Sequence, residues 1–115
     1  FTVTDIFFAQ GKSSLTSADK ESIKKIAKQL KQDINKSKIT IYVVGLAKKE
    51  SNDRQKWVVS AQRAASAASC LREALSDRKK WQIYSWGAGP GGQWTGSRGP
   101  VSTKSDILIA TLVNE

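Results

Sequence analysis

Few residues in this sequence have the type and spacing to do chemistry. They are a glycine-rich run at 87–92, a single Cys70, a lysine-rich stretch and an aromatic–cation pair at Trp94 and Arg98. The run Gly87-Ala88-Gly89-Pro90-Gly91-Gly92 fits the GxGxxG spacing of a phosphate cradle. A cradle of that kind needs a helix to start there, so that N-terminal N–H groups meet the pyrophosphate. The continuation, Gln93-Trp94-Thr95-Gly96-Ser97-Arg98-Gly99-Pro100, cannot make that helix. The run therefore reads as a loop, and no nucleotide or other cofactor is expected. Cys70 lies among alanines beside Leu71, and a catalytic thiol needs a base. The chain has no histidine, so Cys70 reads as a small buried filler. The carboxylates are scattered, with no two forced together by spacing. The expectation is that the protein is not an enzyme. One cysteine and no histidine also exclude an internal disulfide, a thiolate zinc cluster and a histidine-ligated metal.

Charge points to partners rather than to reactions. The 115 residues carry 19 Lys and Arg against 10 Asp and Glu, a formal net charge of +9. Eleven of these cations fall between Lys20 and Lys56, opposed there by Glu21, Asp33, Glu50 and Asp53 alone. Such a surface attracts polyanions, nucleic acid and anionic headgroups included, while a solvated helix face kept soluble by charge explains it as well. No recognisable RNA-binding signature accompanies the lysines, so a nucleic-acid module is the lesser alternative. Trp94 beside Arg98, in a loop holding six of the eight glycines and both prolines, could stack on a sugar, a base or a protein partner.

The elements that must position these groups follow from pattern. Residues 3–9 are β-branched and aromatic and predict a first strand. Thr16 three residues before Asp19 is a capping-box variant that opens a helix. Ile23, Ile26, Ala27, Leu30 and Ile34 line its apolar face, with Lys24, Lys25, Lys28 and Lys31 on the flanks and back. Ile39–Gly45 predicts a second strand. A second helix follows, with Trp57, Ala61, Ala64, Ala68, Leu71 and Leu75 as its inward stripe and alanines that imply close approach to a sheet. Lys80–Trp86 and Ile107–Val113 complete the set, with Gly87–Lys104 a long loop between them. Trp57, Trp81 and Trp86 fall on these elements and read as core or half-buried. The order β-α-β-α-β-β predicts an α+β fold: a single-layer sheet of about four strands with two main helices on one face. One domain over residues 1–115 is expected, processed or excised from a longer chain, since residue 1 is Phe and there is no Met. The longest apolar runs are a few residues, so any membrane attachment would run through regions outside this chain.

Taken together, these pieces resemble the OmpA-like domain, a periplasmic peptidoglycan-binding module. Ile6–Leu15 is similar to the family opening, an aromatic strand running into a turn and a leucine before the first helix. Family members carry Gly-His-Thr-Asp at the end of the second strand and Leu-Ser-x-x-Arg-Ala in the second helix. Here Gly45-Leu46-Ala47-Lys48 and Val59-Ser60-Ala61-Gln62-Arg63-Ala64 fill these slots, without a gap in the spacing. The resemblance covers nearly the whole chain and implies a Gram-negative envelope protein, periplasmic or outer-membrane-associated.

The resemblance also implies a ligand site. In the family, the Asp takes the ammonium and the Arg takes the carboxylate of the diaminopimelate stem peptide, the latter through a bidentate fork. Arg63 and Ser60 match the helix motif, but Lys48 stands where the Asp belongs. Two like charges about 4 Å apart repel by roughly 1–4 kcal/mol, depending on the local dielectric. Ser105 and Asp106 replace a pair of arginines near the last strand. Three readings stay open: peptidoglycan binding weakened or lost, with the fold kept for envelope protein partners; binding kept, with Glu50 or Asp53 on the ammonium; or Arg63 merely paired with Glu50, Asp53 or Asp106. Under the first reading, the host is an envelope-spanning assembly such as a secretion or conjugation system. Lys24 and Lys28 on the first helix, or Trp94 and Arg98 in the loop, would then meet the partner.

Overall fold

The computed structural model describes residues 2–3, 6–33, 38–48, 50, 52–77, 79–89 and 105–114. Its elements are β1 (Thr2–Val3), α1 (Ser17–Asp33), β2 (Lys38–Gly45), α2 (Asp53–Ala74), β3 (Trp81–Gly87) and β4 (Ile107–Asn114). The sheet runs β1-β4-β2-β3, with β2 and β3 parallel and the other two pairs antiparallel. Three strands are full length and β1 has only two residues, so the expectation of about four strands reduces to three and a stub. Trp94 and Arg98 lie outside the described residues, as do Ile34 and most of the predicted long loop.

Register separates the two faces of the sheet. Ile39, Ile41 and Val43 of β2 align with Trp81, Ile83 and Ser85 of β3. Most of this inward set packs with Ile23 and Ala27 of α1 and Ala67, Ala68 and Leu71 of α2 into the main core. The opposite face carries the rows Leu112–Thr40–Gln82, Ala110–Tyr42–Tyr84 and Leu108–Val44–Trp86, with the Asn114–Lys38 pair at its end. Both helices cover the first face, as predicted.

α1 begins where the capping box places it. Thr16 N–H donates to Asp19 Oδ2 at 3.0 Å, and Asp19 N–H donates to Thr16 Oγ1 at 3.1 Å, so two otherwise orphaned donors are satisfied reciprocally. α2 opens on Asn52, whose Oδ1 accepts from Gln55 N–H at 2.9 Å. The stripe predicted for α2 is rotated: Trp57 is 51% exposed and Ala61 is exposed, while Val59, Ser60, Arg63 and Ala67 are buried beside Ala64, Ala68 and Leu71. Two polar residues turned inward hide the true face from a hydrophobicity pattern. α2 can lie this close because Gly45 and Gly87 are register partners beneath it. A Cβ on Gly45 would collide with the Ser60 carbonyl, and one on Gly87 with the Ala61 backbone. Of the tryptophans, Trp81 is core, whereas Trp57 and Trp86 are about half exposed.

The first strand departs most from expectation. Residues 6–9 are irregular rather than extended in the sheet. The Ile6 carbonyl still accepts from the Asp106 main-chain N–H at 2.9 Å, but beyond it side chains take over much of the hold. Phe8 N–H donates to Asp106 Oδ2 at 2.9 Å, and the Ala9 carbonyl accepts from Arg63 as well as from Lys12 N–H.

Candidate functional site

Arg63 projects from the third turn of α2 into the layer between helix and sheet and is only 2% exposed. Its guanidinium has five N–H donors in a fixed fork. Nε donates to the Lys12 carbonyl at 2.8 Å and Nη1 to the Leu46 carbonyl at 2.8 Å. Nη2 donates both to the Ala9 carbonyl at 3.0 Å and to Glu50 Oε1 at 3.1 Å. The Phe8 ring lies against the cation, 5.0 Å from centroid to Cζ, a distance at which a cation–π contact adds to the hold. Four of the five donors are therefore engaged, and Asp106 Oδ2 stands 4.0 Å from Nη1.

Glu50 and Asp106 complete a buried triad around this arginine, with the Arg63–Glu50 side chains each 3% exposed. Each carboxylate also grips the segment that follows β1, Asp106 through Phe8 N–H and Glu50 Oε1 through Gly11 N–H at 3.0 Å. The triad thus holds two donors and two acceptors of residues 8–12 and fixes their irregular path. Glu50 Oε2 is the one buried side-chain polar atom without a hydrogen-bond partner among the described residues.

The other sequence-derived candidates separate from this cluster. Ser60 is fully buried, but its Oγ donates to the Trp57 carbonyl at 2.9 Å and accepts from Gly89 N–H at 3.0 Å. It ties the exit of β3 to α2 and makes no bond to the guanidinium. Asp53 is turned to solvent, its side chain 93% exposed and 3.7 Å from Lys56 Nζ. Lys48 is half-buried on the loop between β2 and α2. Lys24 and Lys28 are exposed on α1, Lys24 within 3.5 Å of Glu21. Sequence reasoning missed the carbonyls of Ala9, Lys12 and Leu46, because backbone acceptors leave no residue-type signal.

Cys70 is free and half-buried, and burial, followed by the nearby Glu73 carboxylate, pushes its thiol above the usual range. That shift disfavours the nucleophilic thiolate. Gly89, at φ +56°, makes a left-handed turn under the Trp57 ring where a helix N-terminus would be needed for a phosphate cradle. Among the described residues, no group of three or more His, Cys, Asp or Glu could hold a metal ion, and no helix is long and apolar enough to cross a membrane.

The class is thus a small α+β domain of β-α-β-α-β-β order, with an arginine of the second helix set against the loop that follows β2. The OmpA family profile matches residues 7–105, and the chain belongs to this family. Its members commonly bind peptidoglycan or anchor in the cell envelope, and are in general structural or binding domains rather than enzymes. The fold is similar to that of the C-terminal domain of MotB from Helicobacter pylori, with TM-score 0.68 and 13% identity over 100% of this chain and 89% of that one. It is also similar to the cell wall anchor of the type VI secretion system from Pseudomonas aeruginosa, with TM-score 0.60 and 18% identity, covering 94% of this chain and 75% of that one. The OmpA-like domain of FopA1 from Francisella tularensis subsp. tularensis SCHU S4 gives TM-score 0.59 and 19% identity, covering 96% and 68%. No individually curated protein matches the sequence.

Proposed function

We propose that this chain is a non-enzymatic OmpA-like domain of the Gram-negative envelope whose stem-peptide site is closed from within, leaving the fold as a scaffold for protein partners in an envelope-spanning assembly. The observation that carries this reading is the saturation of Arg63. Fork-to-fork recognition of a ligand carboxylate needs two adjacent free N–H groups, and four of the five are bonded within the chain. Glu50 supplies the carboxylate that a stem peptide would bring. A ligand would have to displace Glu50 and release the residue 8–12 segment, and Lys48 would repel its ammonium. The likeness to a secretion-system cell wall anchor supports an envelope machine as host.

Peptidoglycan binding by a different arrangement is the second reading, favoured by the unpartnered Glu50 Oε2, which could take an ammonium. Co-sedimentation with diaminopimelate-type sacculi, from low to high salt, separates the two. Internal closure predicts that binding disappears at high salt and that Lys48→Asp alone restores nothing, whereas Lys48→Asp combined with Glu50→Ser gains salt-resistant binding. Salt-resistant binding by the parent chain, lost in Glu50→Gln, would reject closure and support the second reading.

A further inference from the structure

β3 forms one edge of the sheet, and among the described residues no strand pairs with its outward side. Ile39 N–H donates to the Lys80 carbonyl at 2.8 Å and Ala88 N–H to the Gly45 carbonyl at 3.0 Å. In a parallel ladder these two bonds turn the even-numbered residues of β3 toward β2, so Trp81, Ile83 and Ser85 direct their main-chain groups outward. Trp81 N–H is taken by the Asp77 carbonyl at 2.9 Å, and the Ile83 carbonyl accepts from Arg72 Nη2 at 2.8 Å. The Ile83 N–H and both main-chain groups of Ser85 have no partner among the described residues. Natural sheets blunt such an edge with charges, proline, a bulge or brevity. β3 is seven residues long, Trp-Gln-Ile-Tyr-Ser-Trp-Gly, with no charge and no proline.

Both sides of this edge are prepared for contact. On the helix side, an open groove of about 530 Å³ is lined by Arg72, Leu75 and Trp81–Tyr84. On the far side, Tyr84 and Trp86 are 51% and 48% exposed, and Tyr84 stacks on Tyr42 at 5.7 Å. Charge selects the occupant. Arg72 is exposed and fixed at the edge by its bond to Ile83, and Lys80 lies over the Trp81 ring at 5.1 Å beside exposed Lys79. Asp77, the nearby carboxylate, is turned onto the Lys79 and Lys80 N–H groups. A second copy of a +9 chain would bring the same cations to the same edge.

We infer that the β3 edge is a strand-addition site for an extended segment of a protein partner, with alternating apolar residues and a carboxylate that meets Arg72. The inference stands on residues other than the Arg63 cluster and holds whether or not peptidoglycan is bound. The probe is a blocked peptide of alternating valine and threonine, about ten residues long, ending in two glutamates; its counterpart ends in two lysines. Amide hydrogen exchange by NMR on the intact chain reads the edge directly. In the free protein the Ile83 and Ser85 amides exchange faster than those of Gln82, Tyr84 and Trp86, and saturating acidic peptide slows both by about tenfold or more. Ser85→Pro removes an outward N–H without breaking the ladder, so it abolishes peptide binding while the even-numbered amides stay protected. Arg72→Gln weakens the acidic peptide severalfold even if Ser85→Pro fails to fold. No change at Ile83 and Ser85 with peptide at millimolar concentration would overturn the inference, as would equal protection by the lysine peptide. Concentration-dependent protection without peptide would overturn it in favour of self-association.

Discussion

Arg63 works as a structural fastener, and its energetics follow from burial. A buried ion pair is poor evidence of net stabilisation, because desolvation offsets attraction, but removal of one partner leaves an uncompensated charge. Here that charge would be Glu50, already with one unpartnered oxygen, and the carbonyls of Ala9, Lys12 and Leu46 would lose their donor as well. Arg63→Ala is therefore expected to lower unfolding free energy by roughly 3–5 kcal/mol, the range for breaking a buried pair. Glu50→Ala in the Arg63→Ala background should recover part of that loss by removing the stranded carboxylate. Urea denaturation of the four proteins in the cycle gives the coupling directly. Additive losses would mean that Arg63 and Glu50 do not act as a unit. The sequence made Arg63, Glu50 and Asp106 visible as a possible cluster, because opposite charges at plausible loop positions can be named. Which of Glu50, Asp53 and Asp106 closed on Arg63 was not legible, since that depends on where the backbone carries each carboxylate.

At the scale of elements, local signals were readable and long-range ones were not. The Thr16–Asp19 box opens α1 as its spacing predicts, and β2 begins one residue early and ends at the predicted Gly45. These features depend on residues close together in the chain. The irregular path of residues 8–12 depends on Arg63 and Asp106, up to 98 positions away, and no local propensity encodes it. The inward face of α2 was misjudged for a related reason, since Ser60 and Arg63 are buried for bonds to Gly89, Ala9 and Lys12 rather than for hydrophobicity. What lets α2 pack so closely on the sheet is the Gly45–Gly87 pair. Gly45→Ala places a methyl group against the Ser60 carbonyl and should cost at least about 1–3 kcal/mol, the usual range for overpacking. Thr16→Ala, which removes one cap far from this contact, should cost about 1 kcal/mol. Chemical denaturation in parallel ranks the two, and a smaller loss for Gly45→Ala would show that the helix can retreat without penalty.

At the scale of the molecule, the described residues concentrate cations on α1 and exposed aromatic surface on the far face of the sheet. The lysines of α1 at 24, 25, 28 and 31 are all exposed, while the far face of the sheet presents Tyr42, Tyr84, Trp86 and Leu112, with the exposed Lys38 at one end of it. The helix layer therefore attracts polyanions, while the middle of the far face offers aromatic and apolar surface. Attraction of the first kind needs no site. It is long-ranged at low ionic strength and is screened over about 10 Å at 0.1 M salt, so binding to sacculi at low salt is expected even with Arg63 sealed. Replacement of Lys24, Lys25, Lys28 and Lys31 by Gln lowers the formal charge from +9 to +5. That variant should elute from a heparin column at clearly lower salt and lose its low-salt sacculus binding, with urea stability unchanged because none of these side chains is in the core. A dedicated nucleic-acid surface elsewhere would leave retention on heparin nearly as strong as in the parent. Loss of both interactions together would assign the polyanion affinity to α1 and make salt-resistant binding the only meaningful signature of a stem-peptide site.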